Sequence, residues 1–339
     1  MADKRIPVTI VTGFLGAGKT TLLNRVLSHE AFSNAAVLIN EFGEVSVDHL
    51  IVSSVSDDVT ELADGCMCCA VRGKMVDALR ALAEREYEPS RVIIETSGLA
   101  DPAPVAEALL RDEVLAHAFQ PAMVVTVVNL AEAETLLGHQ EATRQIAFAH
   151  AIILTRAERL GETDRHGAAA RISSVNPTAE LFSAIAPDEL AALLTRDVAT
   201  LGLSGTRQKP THDHGHGTAK SLVLSHDSTL PLNVVTGFCD WVLARSGMRL
   251  LRLKGTVETP EGHYLLQAVG RTLEEPARLP SQKHAVPNGT MLVLIGEGLD
   301  IGLIKDTFAS FTGQPVLDRP DRAALEDNPL SISGFSFDG

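Results

Sequence analysis

The chain is poor in cysteine, has no apolar run of membrane-spanning length and clusters no basic residues. Its 339 residues include four cysteines; three fall at Cys66, Cys68 and Cys69, and Cys239 stands apart. That is no disulfide framework, and free thiols or thiolate ligands suit a reducing compartment. No apolar stretch approaches the roughly 20 residues of a membrane helix. The formal net charge is -14, whereas a nonspecific grip on DNA or RNA needs clustered Lys and Arg. The opening MADKRIPVTIVTGFLGAGKTTLL sets basic before apolar residues, but glycines and Lys19 break the apolar run and no small-residue cleavage site follows. A signal peptide is therefore not expected. No internal repeat is visible. The expectation is a cytoplasmic protein with neither a nucleic-acid nor a membrane partner.

With 45% hydrophobic and 21% charged residues, there is ample material for a packed core. The length favours two domains over one. Up to about residue 195, short apolar runs (Ile6–Val11, Val37–Asn40, Arg91–Glu95, Val124–Asn129, Ala151–Leu154) alternate with helical spacing, such as that over Val71–Glu86 and Lys19–Ser28. Strands separated by helices imply parallel pairing, so the spacing predicts an α/β fold, a doubly wound, mostly parallel sheet over residues 1–196. Residues 197–220 lose apolar periodicity and read as a linker. A smaller C-terminal α+β domain is expected over 221–317, and a tail over 318–339, rich in Asp and Pro.

Residues 13–20, GFLGAGKT, match G-x-x-x-x-G-K-[ST]. Gly13, Gly16 and Gly18 allow consecutive backbone N–H groups to turn inward around an anion, and the following helix adds its N-terminal dipole. The segment follows a β-rich run and opens a helix, as a phosphate-binding P-loop must. Lys19 then reaches the β- and γ-phosphates, and the Thr20 hydroxyl ligates Mg²⁺. A partner is found in ETSG at the end of a hydrophobic strand. Glu95 can hold the water shell of the Mg²⁺, and the Gly98 N–H can sense the γ-phosphate. Lys19, Glu95 and Gly98 are thus the candidate catalytic groups. Leu15, Ala17 and Thr21 complete the nucleotide-contacting loop.

Cys66-Met67-Cys68-Cys69 follows a turn-like Ala63-Asp64-Gly65. Three thiolates so close can converge on one soft or borderline cation, Zn²⁺ by default, with Co²⁺, Ni²⁺ or Fe²⁺ also fitting. Buried structural thiols or a redox pair are the competing readings. Cys239, beside Trp241 in an apolar helix, reads as core. His212, His214 and His216 in THDHGHG are either a metal-collecting tract or a solvated linker.

GFLGAGKT, NEFGE at Asn40–Glu44, GCMCC at Gly65–Cys69 and ETSGLADP at Glu95–Pro102 together resemble the CobW-like GTPases, P-loop relatives of the nickel-insertion GTPases of hydrogenase and urease. LLRLKG at Leu250–Gly255 and the His-rich run before it extend the resemblance over nearly the whole chain. The resemblance implies a metallochaperone that couples GTP hydrolysis to delivery of zinc, cobalt or iron to a client protein. It also implies that Glu41 or Glu44 joins the cysteines as ligand or water positioner. One departure stands out. The family specifies guanine by Asn-Lys-x-Asp after a strand, and here Thr155-Arg156-Ala157-Glu158 takes that place. Glu158 keeps a carboxylate one methylene further out, and Arg156 keeps a cationic stem able to stack on a base. Thr155, Arg156, Glu158 and Asn176 are the expected base-side contacts, with GTP as the expected nucleotide and ATP or relaxed specificity as the alternative. Two other functions compete: a regulatory nucleotide- and metal-binding module with little hydrolysis, and an ATP-dependent small-molecule kinase.

Overall fold

Seven short strands carry the first half of the fold: β1 (Val8–Thr12), β2 (Ala35–Ile39), β3 (Val59–Glu61), β4 (Arg91–Glu95), β5 (Met123–Asn129), β6 (Ala151–Thr155) and β7 (Glu180–Ser183). In a computed structural model of the protein they form one sheet in the order β3-β2-β4-β1-β5-β6-β7. Every pairing in it is parallel. The structure describes residues 4–39, 59–61, 68–84, 89–183, 185–196, 219–279 and 288–313, with only the backbone for 59–61 and 68–74.

Side chains alternate across the sheet, as a period of two requires. Val8, Ile10, Leu38, Val92, Ile94 and Val124 face helices Cys68–Ala83, Ala103–Arg111 and Gln140–Phe148. Val11, Val37, Ile93, Val125 and Val127 face helices Lys19–Leu27 and Pro187–Leu194. Helices therefore cover both faces, which accounts for strands such as VTIVT and MVVTVVN that are buried throughout. The helix predicted over Val71–Glu86 runs three residues earlier, over Cys68–Ala83, so Cys68 and Cys69 occupy its first turn. Strands β3 and β7 at the two edges are short and were not anticipated from apolar runs.

The second sheet is antiparallel: β8 (Ala219–His226), β9 (Arg249–Thr259), β10 (Gly262–Val269), β11 (Thr272–Leu273), β12 (Ala277–Arg278) and β13 (Thr290–Glu297), with the central order β10-β9-β13-β8. One face packs on helices Leu232–Ala244 and Ile301–Thr312 through Phe238, Val242, Leu253, Leu292 and Phe308. The other face sends Leu251, Val269, Val293 and Ile295 into the cluster formed by helices Ala103–Arg111 and Gln140–Phe148. The two halves thus share a core. Cys239 is wholly buried on the first of these faces, beside Phe238, and burial pushes its thiol up to about 12, so it packs as a neutral core residue.

Candidate nucleotide and metal site

The loop after β1 turns on left-handed glycines, Gly13 (φ 145), Gly16 (φ 69) and Gly18 (φ 101). At Gly13 a side chain would also collide with the Val127 carbonyl oxygen of β5, so this turn has room only for glycine. Ala17 N–H donates to the Phe14 carbonyl at 3.2 Å, closing the loop before helix Lys19–Leu27 begins. The Lys19 ammonium folds back over the loop, donating to the carbonyl oxygens of Gly13 at 2.9 Å and Phe14 at 3.4 Å. From there it can exchange carbonyl oxygens for phosphate oxygens.

Beside the loop, β4 ends on Glu95, which is buried. Its Oε1 accepts the Thr20 hydroxyl at 2.9 Å. The two groups expected to serve Mg²⁺ are therefore in contact, and both are hard oxygen donors of the kind this cation takes. The Thr96 hydroxyl donates to that of Thr12 at 2.8 Å, and Thr96 N–H to the Val11 carbonyl at 3.0 Å, so β4 and β1 are joined at their ends. Gly98 lies against the phosphate loop: a side chain on it would come within 2.8 Å of the Leu15 nitrogen. Lys19, Thr20, Glu95 and Gly98 thus lie around one loop.

On the base side, the Thr155 hydroxyl at the end of β6 donates to the Ala17 carbonyl at 2.8 Å. Arg156 is the only non-glycine residue with positive φ (56°) among the described residues, and Glu158 is exposed in the 3₁₀ turn Ala157–Arg159. The segment Thr155–Glu158 is therefore fixed to the phosphate loop at its start and open at its end. Asn176 requires a correction. Its amide donates to the carbonyls of Ile146 (2.8 Å), Ala147 (3.1 Å) and Ala149 (2.9 Å), and its oxygen accepts from Thr178. These groups precede β6, at the edge of the sheet opposite the phosphate loop. Asn176 is buried and serves the fold, with no access to nucleotide.

Of the predicted metal-binding residues, Cys66, Glu41 and Glu44 lie outside the described residues, as do His212, His214 and His216; Cys68 and Cys69 are placed by backbone alone. What the fold does supply is position. Because every strand runs the same way, the segments following β1, β2, β3, β4 and β6 leave one edge of the sheet. They carry GFLGAGKT, NEFGE, GCMCC, ETSGLADP and Thr155–Glu158. With neighbouring strands about 4.8 Å apart, the chain leaves β3 towards the cysteines about 10 Å from the end of β4 and about 14 Å from the end of β1.

Sequence reasoning missed several groups at this edge. Gln145, wholly buried, donates from its amide to the carbonyls of Gly98 at 3.1 Å and Ala100 at 3.0 Å. Arg249 of β9 donates to Asp101 at 3.0 Å, bringing the second sheet to the same segment. Asn129, paired in register with Thr155, is buried with neither amide atom hydrogen-bonded among the described residues. No spacing in the sequence marks these three, since each acts through a strand or helix distant along the chain.

Comparison with known proteins bears on the same arrangement. The family profile for the CobW/HypB/UreG nucleotide-binding domain matches residues 7–183. That for the cobalamin synthesis protein cobW C-terminal domain matches residues 219–312. The zinc chaperone YjiA of Escherichia coli is 30% identical over 315 residues, covering 90% of this chain and 98% of that protein. The zinc chaperone CobW of a Sinorhizobium species is 40% identical over 137 residues, 38% of this chain and 37% of that one. A zinc-bound crystal structure of the E. coli YjiA GTPase is similar at a TM-score of 0.66 and 25% identity, covering 91% of this chain and 99% of that one.

Proposed function

The chain belongs to the CobW/HypB/UreG family of P-loop GTPases, and from that premise we propose that it is a metallochaperone: it binds Zn²⁺ through Cys66, Cys68 and Cys69 and releases it to a client metalloprotein as GTP is hydrolysed. The observation that carries this reading is topological. The cysteine segment and NEFGE follow β3 and β2, and Glu95 ends β4; these three strands are adjacent in the sheet and end at the same edge as the phosphate loop. A γ-phosphate that orders the loops of β2 and β4 therefore acts on the segments next in line to the one that leads to the cysteines. Two of the cysteines open a helix, where the dipole favours thiolate over thiol. Glu41 or Glu44 completes the zinc ligand set in this proposal. A reducing cytoplasm keeps the thiols available.

In the nucleotide half, Gly13–Thr21 cradles the phosphates and Lys19 shifts its ammonium from the loop carbonyls to phosphate oxygens. Thr20 and Glu95, already in contact, fit Mg²⁺, Glu95 through a water. Bound there, the ion would neutralise charge on the phosphate oxygens. The Gly98 N–H faces the terminal phosphate. Arg156 stacks on the base, and Glu158 accepts its N–H groups, giving a preference for GTP.

The test is zinc affinity measured with and without a nonhydrolysable GTP analogue. The expected coupling is about 5- to 150-fold, lost when Cys66, Cys68 and Cys69 are all replaced by Ser. Zinc affinity indifferent to nucleotide, or intact in the triple Ser variant, would sink the proposal. Titration with both GTP and ATP in the same series settles the base.

A further inference from the structure

One helix, Gln140–Phe148, touches the phosphate site and the second sheet at once. Just ahead of its first turn, the His139 ring stacks on Phe14 of the phosphate loop, with centroids 4.7 Å apart. Midway, the buried Gln145 amide holds the carbonyls of Gly98 and Ala100. Arg144, its neighbour, makes a two-pronged pair with Glu297 of β13, 2.9 Å on each prong, and Gln140 donates to the same carboxylate at 3.1 Å. At the far end, Arg252 of β9, itself buried, donates to the Phe148 carbonyl at 2.6 Å. The helix is thus fixed to the second sheet near both ends.

The segment Glu95–Asp101 meets the second sheet directly as well. Asp101 divides its carboxylate: Oδ1 accepts the Ala103 N–H at 3.0 Å, at the start of helix Ala103–Arg111, and Oδ2 accepts from Arg249 at 3.0 Å. Arg249 also lies 3.7 Å from Glu297. The carboxylate that holds Arg144 is therefore shared with the arginine that holds Asp101. Between Glu95 and Asp101 the chain makes one tight turn, with Ala100 N–H donating to Ser97 O at 3.1 Å. The Gly98 carbonyl shares one rigid plane with the Leu99 N–H, and the Gly98 N–H precedes it by a single soft φ/ψ pair. By holding the Gly98 and Ala100 carbonyls, Gln145 restricts the rotation of the turn that carries both N–H groups.

We propose that the seating of the second sheet sets the hydrolytic competence of the phosphate site, with Gln145 and Arg249 as positioning residues for the segment Glu95–Asp101. Neither reaches the nucleotide. Gln145 aims the Gly98 peptide, and Arg249 links that aim to the sheet, so anything that shifts the second sheet, a docked client included, changes turnover. The inference rests on the reading that Gly98 faces the terminal phosphate.

The experiment is steady-state GTP hydrolysis by the full chain carrying Gln145→Met, Arg249→Ala or Arg249→Lys, with melting temperatures and a Lys19→Ala control. Met keeps the volume of Gln without its donor, and Arg249 is half exposed, so both variants should fold. For Gln145→Met, kcat should fall about 10-fold or more while the KM for GTP stays within about 2-fold, the signature of misplacement without lost binding. Arg249→Ala should lower kcat about 5-fold, with partial recovery in Arg249→Lys, which keeps the charge. The double variant Gln145→Met with Arg249→Ala should lose less than the product of the two, because they act on one segment. Unchanged kcat in both single variants overturns the proposal, as does a loss that tracks melting temperature or falls equally on nucleotide binding. If Lys19→Ala also hydrolyses GTP like the wild type, the phosphate-site reading itself fails and takes this inference with it.

Discussion

The two sheets place charge in opposite ways. At the edge of the parallel sheet, Lys19 and Thr20 are only part-buried; Lys19 donates to the loop carbonyls of Gly13 and Phe14, and Thr20 to Glu95. Such contacts can be traded for phosphate oxygens without leaving a charge stranded. In the antiparallel sheet, Arg252 and Lys254 of β9 are enclosed against the first domain, 2% and 3% exposed. Burial pushes Arg252 down to about 10, and burial with the neighbouring Arg252 pushes Lys254 down to about 7. Glu274 is pushed up by the same burial, and His150 is driven well below its usual value. Charge at an edge is available for chemistry, whereas charge between layers costs stability and fixes how the layers sit. The comparison predicts that substitutions at the phosphate-site edge change nucleotide handling, and that substitutions of the enclosed charges Arg252 and Lys254 change stability.

The largest effect is expected at Gly13. In Gly13→Ala the left-handed backbone alone costs about 1–3 kcal/mol, and the new methyl overlaps the Val127 carbonyl. Either the loop or β5 must move, so nucleotide binding should be lost and the melting temperature lowered. Titration with a fluorescent nucleotide and calorimetry report the two separately. Wild-type behaviour in both would mean that the loop does not turn against β5 as described.

A smaller effect, confined to stability, is expected at Lys254. An unfolded lysine keeps its proton to about pH 10.4, but the folded chain releases it at about 7. Between those values the unfolded chain binds more protons, so stability rises with pH. Arg252 adds to the rise above about 10. Lys254→Met should flatten the increase above pH 7 in melting temperature, leaving kcat for GTP near wild type. A slope unchanged by the substitution would remove the distinction between the two sheets.

How much of this was legible in the sequence follows from where each constraint lives. The phosphate loop was readable because its demands are local: Gly13, Gly18, Lys19 and Thr20 must stand at fixed spacing for a backbone to enclose an anion. The parallel sheet was readable because strands buried on both faces become continuous apolar runs. Edge strands β3 and β7 were not, being only three and four residues long. Asn176 was misplaced because an amide that satisfies three carbonyls looks, in sequence, like one that contacts a base. Gln145, Arg249 and Glu297 were silent for a related reason. Their meaning is a meeting of β9, β13 and helix Gln140–Phe148, which no spacing along the chain records. The helix start at Cys68 was missed because cysteine gives no strong helical signal, so periodicity began at Val71.

The smallest effect separates two residues three apart on the base side. Thr155 donates to the Ala17 carbonyl, a group of the phosphate loop, whereas Glu158 is exposed beyond it. Thr155→Val keeps the shape of the side chain and deletes the donor, a loss of about 0.5–1.5 kcal/mol. Because that bond holds the loop and not the base, GTP and ATP affinities should weaken together, by about 2- to 10-fold, with their ratio unchanged. Glu158→Ala should do the reverse, leaving ATP where it was and weakening GTP. Equilibrium titration of both nucleotides against both variants checks this. A ratio that moves in Thr155→Val, or stays fixed in Glu158→Ala, would show that the base is read elsewhere along this edge. Asn129, buried beside Thr155, would then be the first residue to change.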